Sequence, residues 1–312
     1  MPGKWVTVMG SFVADFAFRT KRLPRWGETM LGSEFKLGPG GKGSNQAVAA
    51  ARLGGRVSFI SKLGRDPLGD LARRTYAEEG IDTKFLLATD DHATGGATII
   101  VDEATGENAI VVVPGACFQL TCEEVDQARP RIAESAVFMT QLELSVETVE
   151  HGLRLAKELG VPTIFNPAPA LPFPDRIYPL CDYLTPNESE TSGLIGQPVA
   201  TVADAERAAD VLLERGVGNV VITLGAQGAL AKNARVTMHV PAVDAGPVVE
   251  TTGAGDAFNG GFAIALSEGR DLVEAVQFGC AVAGISVTRL GTAPSMPTRA
   301  QVDALLKCAV SE

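Results

Sequence analysis

Residues 123–165, EEVDQARPRIAESAVFMTQLELSVETVEHGLRLAKELGVPTIF, decide the fold prediction for this chain. The stretch alternates twice between apolar residues at helical spacing and short apolar runs, which predicts helix 123–134, strand 136–142, helix 146–159 and strand 161–165. Strands that alternate with helices of this length form right-handed β-α-β crossovers. The stretch therefore predicts a mostly parallel sheet with helices on both faces.

The same alternation continues on both sides of this stretch. It predicts further strands at 5–9, 57–63, 183–184 and 219–224, a hairpin at 230–240, and helices at 44–53, 68–79, 203–215, 257–266, 272–287 and 299–307. Two β-rich segments, about 16–37 and 96–113, have no crossover helix, so we expect them to pair as one small sheet attached to the main one. No linker or internal repeat marks a division, and residues 1–312 are expected to form a single α/β domain.

The composition disfavours several classes of protein. The formal net charge is −10, from 37 acidic and 27 basic residues, which is opposite to the balance of most nucleic-acid-binding proteins and repels anionic membranes. Five cysteines without a C-x-x-C pair predict neither a disulfide framework nor a zinc site. No signal peptide and no apolar run of about 20 residues is visible, so we expect a cytoplasmic protein.

Residues 250–261, ETTGAGDAFNGG, carry the clearest chemistry. A Gly-Ala-Gly turn, Gly253 to Gly255, leads directly into an apolar helix, and the unpaired N–H groups and dipole at such a helix start attract a phosphate. Asp256, on the first helical turn, could orient a hydroxyl group and accept its proton late in a phosphoryl transfer. The helix start also favours the anionic form of Asp256, which makes it a weak resting base. The alternative is that Asp256 only caps the helix.

Residues 38–45, GPGGKGSN, form a second glycine-rich segment before a helix. The match to G-x-G-x-x-G raises a dinucleotide site as an alternative, but the segment follows a polar stretch and not the first buried strand. A P-loop is absent, because Lys42 is followed by Gly43 and not by Ser or Thr. We therefore expect Lys42 and Asn45 to bind a polyol.

Acidic and amide side chains near strand ends supply further candidates. Asn187 and Glu190, three residues apart at a helix start, would share one face and suit a hydrated Mg²⁺ ion. The alternative is an Asn cap with solvated acids. Asp15 and Glu143 follow the apolar runs of two strands, where open parallel sheets bind ligands; the alternative is that both are ordinary loop acids.

Residues 40–47 (GGKGSNQA) and 251–260 (TTGAGDAFNG) resemble the PfkB carbohydrate kinase family, and within it the ribokinases. Shorter matches lie between them, so the resemblance covers nearly the whole chain: QLE (141–143), NPAP (166–169), TPNE (185–188) and ITLG (222–225). It implies a Rossmann-like domain with a β-sheet lid, and transfer of the ATP γ-phosphoryl group to the primary hydroxyl of a pentose, with D-ribose giving ribose 5-phosphate. Alternatives are a kinase for deoxyribose, a ketohexose, ketodeoxygluconate or a nucleoside, and, further away, a nicotinamide-dependent oxidoreductase or a sugar sensor.

The resemblance also implies a role for each matching residue. It implies Asp256 as the base, with Gly253, Ala254 and Gly255 as the anion hole, and it places Asp15, Gly41, Lys42, Asn45 and Glu143 at the sugar. It places Asn187, Thr223 and Gly225 at ATP, and Asn187 and Glu190 at magnesium, through water. A monovalent cation such as K⁺ is implied at Glu250, Thr252, Ser286, Gly291 and Ser295. Members commonly dimerise through their lids, so a homodimer is expected. Val13 stands where Asn is usual in ribokinases, and Glu250 where Asp is usual. We therefore expect this chain to differ at the sugar and at the cation.

Overall fold

The computed structural model of the chain describes residues 4–105 and 108–309, and only the backbone of the last two of these. Residues 106 and 107, within the predicted β-rich segment 96–113, lie outside the described residues, as do both ends of the predicted 1–312 domain. The strands are β1 (Trp5–Met9), β2 (Val13–Thr20), β3 (Glu34–Gly40), β4 (Arg56–Gly64), β5 (Asp82–Thr89), β6 (Thr94–Asp102), β7 (Asn108–Gly115), β8 (Ser135–Gln141), β9 (Thr163–Asn166), β10 (Tyr183–Leu184), β11 (Asn219–Thr223), β12 (Ala229–Lys232) and β13 (Thr237–Val240). The helices are α1 (Lys42–Arg52), α2 (Pro67–Glu78), α3 (Cys122–Asp126), α4 (Arg129–Ala133), α5 (Val146–Glu158), α6 (Glu188–Ile195), α7 (Val202–Glu214), α8 (Ala254–Ser267), α9 (Leu272–Ser286) and α10 (Arg299–Ala309).

Within the described part of the chain, a nine-stranded sheet runs in the order β13-β12-β11-β10-β9-β8-β1-β4-β5. The strands from β11 to β5 in this order pair in parallel, and β12 and β13 extend the sheet antiparallel. Side chains of β1 alternate between two apolar layers, one on each face of the sheet, as the pleat requires. Val8 belongs to a core cluster that includes α1, α8 and α9, whereas Met9 belongs to a second cluster that includes α5 and α7. The predicted α/β fold with helices on both faces is confirmed.

A second sheet, which we call the lid, has four strands among the described residues, in the order β3-β2-β6-β7. β2 pairs antiparallel with β3 and in parallel with β6, so the predicted pairing of the two β-rich segments is confirmed. The bounds differ from the prediction, because β2 starts at Val13 and β3 at Glu34, and residues 21–33 form a connecting loop. Asp15 therefore lies within a lid strand and not in a loop after the first strand.

Two parts of the main sheet region differ from the sequence prediction. The prediction omits β5, a parallel edge strand beside β4, because its apolar run from Phe85 to Ala88 is too short to separate from a loop. The predicted helix 123–134 is instead two short helices, α3 and α4. Pro130 has no N–H to donate and lies in the first turn of α4, where a helix accepts proline. Among the described residues, no helix is long and apolar enough to cross a membrane.

Helices α1 and α8 pack with almost no space between their backbones. A Cβ atom added to Gly260 of α8 would lie 2.5 Å from the Cβ of Ala49 and 2.9 Å from the carbonyl oxygen of Gln46, both in α1. Contacts of this length do not occur between real Cβ atoms and their neighbours, so only glycine allows the approach. The packing brings the first turn of α8, which carries Asp256, against the buried side of α1, which carries Asn45.

We predict that Gly260→Ala lowers the free energy of unfolding by about 1–3 kcal/mol, because the added methyl group overpacks the contact between α1 and α8. Gly193→Ala in α6 is the matched control, since an added Cβ there meets no heavy atom within 4 Å. Alanine favours a helix over glycine, so the control should be neutral or stabilising by up to about 1 kcal/mol. Urea unfolding measures both changes, and equal effects of the two substitutions would contradict the close approach.

Candidate active site

The polar candidates follow the carboxyl ends of four neighbouring parallel strands, β8 to β11. Glu143 follows β8, Asn166 ends β9, and Asn187 follows β10 and forms a parallel bridge with Thr223, the last residue of β11. Ligands of open α/β sheets bind at this edge. A cleft of about 130 Å³ opens there and is lined by Lys42, Asn166, Ala168, Asn187, Glu190, Thr223, Gly253, Gly255, Asp256 and Asn259.

The start of α8 has the form that an anion site needs. Gly253 adopts a left-handed conformation with φ of 83°, and no side chain caps the helix. A Cβ atom on Gly255 would meet nothing within 4 Å, so a ligand can approach this backbone. Asp256 does not cap the helix: its two carboxylate oxygens accept hydrogen bonds from Asn45 Nδ2 at 2.9 Å and Gln46 Nε2 at 3.0 Å. The capping alternative for Asp256 is therefore wrong.

Asp256 is 6% exposed, and burial raises its pKa. The charge of Lys42 and the hydrogen bonds from Asn45 and Gln46 oppose this rise, and the charge of Glu143 adds to it. The sequence prediction of a weak resting base considered only the helix start, whereas burial acts in the other direction. A carboxylate with a raised pKa is a better proton acceptor.

Lys42 begins α1, two residues earlier than the sequence predicts. Its backbone N–H donates to Glu143 Oε2 at 2.8 Å, and the hydroxyl of Ser11 donates to the same oxygen. Its side chain lines the cleft. Burial alone would lower the pKa of Lys42, but the charges of Asp256, Glu143 and Glu190 raise it. Lys42 is therefore a protonated cation between the predicted sugar residues and the predicted magnesium residues.

Two predicted sugar residues have groups available to a ligand. Asn45 is 3% exposed, and its Oδ1 has no hydrogen-bond partner among the described residues. A buried acceptor of this kind normally has a partner, so it fits a hydroxyl of a bound ligand. Asp15 Oδ2 accepts a hydrogen bond from the hydroxyl of Thr292 at 3.2 Å. Gly41, at φ of 89°, leaves room for the start of β2, because a Cβ there would lie 2.8 Å from Val13 N.

Asn187 and Glu190 form a capping box at the start of α6. Asn187 Oδ1 accepts from Glu190 N at 2.8 Å, and Glu190 Oε2 accepts from Asn187 N at 2.9 Å. The Asn-cap alternative is thus correct for Asn187, but Glu190 is 6% exposed and not solvated, and burial raises its pKa. Among the described residues, no three acidic, His or Cys side chains group to hold a metal. One carboxylate beside an amide fits Mg²⁺ that keeps most of its waters.

The predicted nucleotide residues lie together at the ends of β10 and β11. Thr223 N donates to the carbonyl oxygen of Pro186 at 3.0 Å, next to Asn187. Gly225 begins the turn that follows β11 and has a φ of 50°, which favours glycine.

The predicted cation residues are brought together only in part. Glu250 Oε2 accepts a hydrogen bond from Gly291 N at 2.8 Å, and Thr252 leads from Glu250 toward α8. The hydroxyl of Ser295 donates to the carbonyl oxygen of Thr292 in the same turn, at 2.7 Å. The hydroxyl of Ser286 donates to Ala283 O within α9 at 2.8 Å.

Several buried polar residues at the site have no role predicted from the sequence. They are Gln46, Gln141, Asn166, Thr185, Asn259 and Thr292. A signal was present, because Gln46 and Gln141 are polar residues inside apolar segments, NQAVAAA and VFMTQL, where an amide requires a partner. The partners themselves come from distant segments and could not be assigned.

Comparison with known proteins gives the family. Residues 4–299 match the pfkB family carbohydrate kinases, and the chain belongs to this family. It is 41% identical to a ribokinase of Haemophilus influenzae, with 95% of this chain and 96% of the relative covered, and 37% identical to a deoxyribokinase of Salmonella typhi, with 96% and 98% covered. A ribokinase of Arabidopsis thaliana, solved with ribose and ATP, superposes with a TM-score of 0.92 at 30% identity, covering 98% of this chain and 99% of that one.

The protein is accordingly an ATP-binding carbohydrate kinase, a phosphotransferase with an alcohol group as acceptor. The nicotinamide alternative loses its basis, because the glycine-rich segment 38–45 connects lid strand β3 to α1. A dinucleotide fingerprint follows the first strand of the main sheet instead.

We predict that Asp15→Asn stabilises the fold at pH 8 and has little effect at pH 4. Burial raises the pKa of Asp15 to about 6; the hydrogen bond from Thr292 opposes the rise, and the charges of Glu143 and Asp256 add to it. The folded state thus holds this proton more tightly than the unfolded chain, whose pKa is near 3.8. Stability is lost as the pH rises from the unfolded to the folded pKa, and asparagine avoids that loss. Urea unfolding at both pH values measures the difference.

Asp66→Asn is a control of opposite sign. Burial alone would raise the pKa of Asp66, but the backbone N–H groups of Thr94 and Gly69 lower it. Its ionised form therefore stabilises the fold above the unfolded pKa, and the substitution should destabilise the protein at pH 8, less so as the pH falls. If Asp15→Asn destabilised the protein at pH 8 as Asp66→Asn does, the destabilising burial of Asp15 would be disproved.

Proposed function

We propose that the protein transfers the ATP γ-phosphoryl group to the primary hydroxyl of D-ribose, giving ribose 5-phosphate and ADP. One observation carries the chemistry: the buried carboxylate of Asp256 lies at the uncapped start of α8, beside Gly253 and Gly255. The ribokinase relative at 41% identity and the likeness to the ribose-bound and ATP-bound structure support ribose as the acceptor.

In the proposed reaction the hydroxyl oxygen attacks the γ-phosphorus, the bond from this phosphorus to the bridging oxygen of ADP breaks, and the hydroxyl proton passes to Asp256. The backbone N–H groups of Gly253 and Gly255 receive the negative charge that develops on the transferred group. Ala254, predicted as a third donor, is not available, because its N–H donates to the carbonyl oxygen of Thr251 at 3.1 Å. Lys42, a protonated side chain in the same cleft, adds a positive charge. Little covalent chemistry is asked of the protein, and positioning with electrostatic stabilisation supplies the rate.

The sugar is proposed to bind between the lid and α1. Asn45 Oδ1 accepts from one hydroxyl, Asp15 from others, and Glu143 supplies the oxygen that Ser11 and Lys42 do not occupy. Gly41 lets the backbone approach the ligand.

The nucleotide is proposed to bind along Asn187, Thr223 and Gly225, with Glu190 and Asn187 holding the waters of a Mg²⁺ ion. When bound, this ion would neutralise charge on the phosphates. Titrating Mg²⁺ against Glu190→Gln tests the assignment: an unchanged Mg²⁺ requirement would remove Glu190 from it.

A K⁺ site is proposed at Glu250, Thr252, Ser286, Gly291 and Ser295. Glu250 already joins the segment before α8 to the turn at Gly291, so a cation there would act on the anion hole. Equal turnover in K⁺ and in tetramethylammonium would disprove the site.

A homodimer through the lid is proposed because the lid presents apolar side chains to solvent. Phe35, Val111 and Val113 are 55%, 69% and 62% exposed. Patches of this kind mark protein interfaces. A monomer in sedimentation equilibrium would contradict the proposal.

The cytoplasm is the proposed compartment, since the reaction consumes ATP. Recovery of the protein in a secreted fraction would contradict this proposal.

We predict that the protein releases ADP from MgATP when ribose is added, and that Asp256→Asn lowers kcat by ~10² or more, the range for loss of a general base. The substitution is nearly isosteric, so ATP binding should persist. Asp271→Asn is the control, because Asp271 caps α9 away from the cleft and asparagine caps equally well. Coupled measurement of ADP gives kcat, and near-normal turnover by the Asp256 variant would remove this residue from the mechanism.

Deoxyribokinase activity is the second candidate, and Val13 favours it. Val13 is 2% exposed and lies two residues from Asp15 in β2, on the same side of the pleat. Its neighbours Phe12 and Ala14 belong to a hydrophobic core cluster, and Val13 does not. A sugar hydroxyl against valine would lose its water without a new partner, whereas a methylene group would pack there.

We predict that the ratio of kcat/KM for ribose to that for 2-deoxyribose lies within about 10² in the wild type, since apolar pockets discriminate such analogues weakly. Val13→Asn should raise this ratio about tenfold, because the amide offers the extra hydroxyl a partner. Val236→Asn, in the turn between β12 and β13, is the control and should leave the ratio unchanged. An unchanged ratio in the Val13 variant would show that Val13 does not set specificity.

A further inference from the structure

The Asp256 carboxylate is held by an amide whose own orientation is determined on two sides. Gln46 Nε2 donates to Asp256 Oδ1 at 3.0 Å and also to Asn166 Oδ1 at 3.1 Å. Gln46 Oε1, on the other side of the amide, accepts from Gln141 Nε2 at 2.6 Å. Gln46 and Gln141 are both 0% exposed. Bulk solvent is therefore not in contact with either amide.

The orientation of the Asn166 amide is also determined by its hydrogen bonds, and it in turn orients Gln46. Its Nδ2 donates to the carbonyl oxygen of Thr185 at 2.7 Å, so its Oδ1 must face Gln46. The hydroxyl of Thr185 donates to Asn259 Oδ1 at 2.6 Å, and Asn259 Nδ2 donates to Gly255 O at 2.8 Å. The chain of donors thus returns to α8, one residue before Asp256.

Reversing the Gln46 amide would be costly at Asp256 and at Asn166, because its oxygen would then face an oxygen of each. Gln141 does not oppose the reversal in the same way, since its Oε1 has no partner among the described residues and its amide can turn as well. A backbone carbonyl accepts from Asn166, which prevents that residue from turning to compensate. A buried polar group that loses its partner costs free energy, so the arrangement has one favourable state.

We propose that Gln46 is a positioning residue for phosphoryl transfer: its amide, aimed by Gln141 and Asn166, keeps the Asp256 carboxylate ionised and correctly oriented toward the acceptor hydroxyl. This inference rests on the proposed role of Asp256 as the base. Gln46 itself does not touch the substrate in this assignment and acts through Asp256. Its effect appears in the fraction of Asp256 that is ionised at a given pH. The other charged groups that act on Asp256 are Lys42, which favours its ionised form, and the acidic residues Glu143, Glu190 and Asp15, which oppose it.

The test is the pH dependence of kcat at saturating sugar and MgATP in three variants. Gln46→Met keeps the length of the side chain and removes the donor, so the acid limb of the profile should move up by about one pH unit, and kcat at a pH below the limb should be about tenfold lower. Gln141→Met only frees Gln46 to turn, so its shift should be smaller. Gln46→Glu places a second carboxylate beside Asp256, so its shift should be the largest. KM for the sugar should change less than about threefold.

Thr140→Val is the matched control. Thr140 precedes Gln141 in β8, is 0% exposed, and its hydroxyl has no partner among the described residues. Its profile should match the wild type. Thermal unfolding of each variant shows whether it folds. If Gln46→Met does not fold, the proposal is still tested by the other two variants, because the acid limb should shift further in Gln46→Glu than in Gln141→Met.

The outcomes separate this inference from the proposed function. Loss of turnover in Asp256→Asn together with unmoved acid limbs in the Gln46 and Gln141 variants overturns the positioning role and leaves the base in place. A reduction of kcat that is equal at every pH indicates a merely structural role and also overturns it. An acid limb that persists in Asp256→Asn shows that the limb belongs to another group, and the inference then fails with the assignment of the base.

Discussion

The approach of α1 to α8 is the constraint on which the site depends. Asn45 and Asp256 are 211 positions apart in the chain, and they are hydrogen bonded because the two helices meet at Gly260 without an intervening side chain. Helices this close leave no room for water between them, so polar groups on the facing sides must pair with each other. The packing that closes the apolar core therefore also assembles the polar network at its end.

The site contains several carboxyl groups whose ionised forms are destabilised by burial. Burial raises the pKa of Asp15, Glu190 and Asp256, which means that each would be easier to ionise in water than where it lies. Lys42 compensates in part, since its charge lowers the pKa of Asp256 and of Glu190. Hydrogen-bond donors and cations that enter the cleft would relieve the remaining cost, and ligands that do so stabilise the folded state.

Local patterns were enough to predict the architecture, whereas partners across the site were not. The alternation of strands and helices predicted the main sheet, and the glycine-rich start of α8 pointed to Asp256. Asn187 caps α6 and also lines the cleft, so the cap does not exclude the ligand role that stays a prediction for this residue. The amide chain through Gln46 could not be predicted, since its members come from different strands and helices that only tertiary packing brings together.

All four strands of the lid join the main domain at the same end. The register places Val13 beside Gly40 and Gly95, and Thr94 beside Gly115, so the attachments form a single row. The lid is thus attached at one end only, so the displacement of a lid residue on bending grows with its distance from that end. Asp15 lies two residues from that row, about 7 Å along the strand. Bending can therefore displace the outer part of the lid widely while Asp15 stays nearly in place, so the proposed sugar contact lies where bending disturbs the lid least.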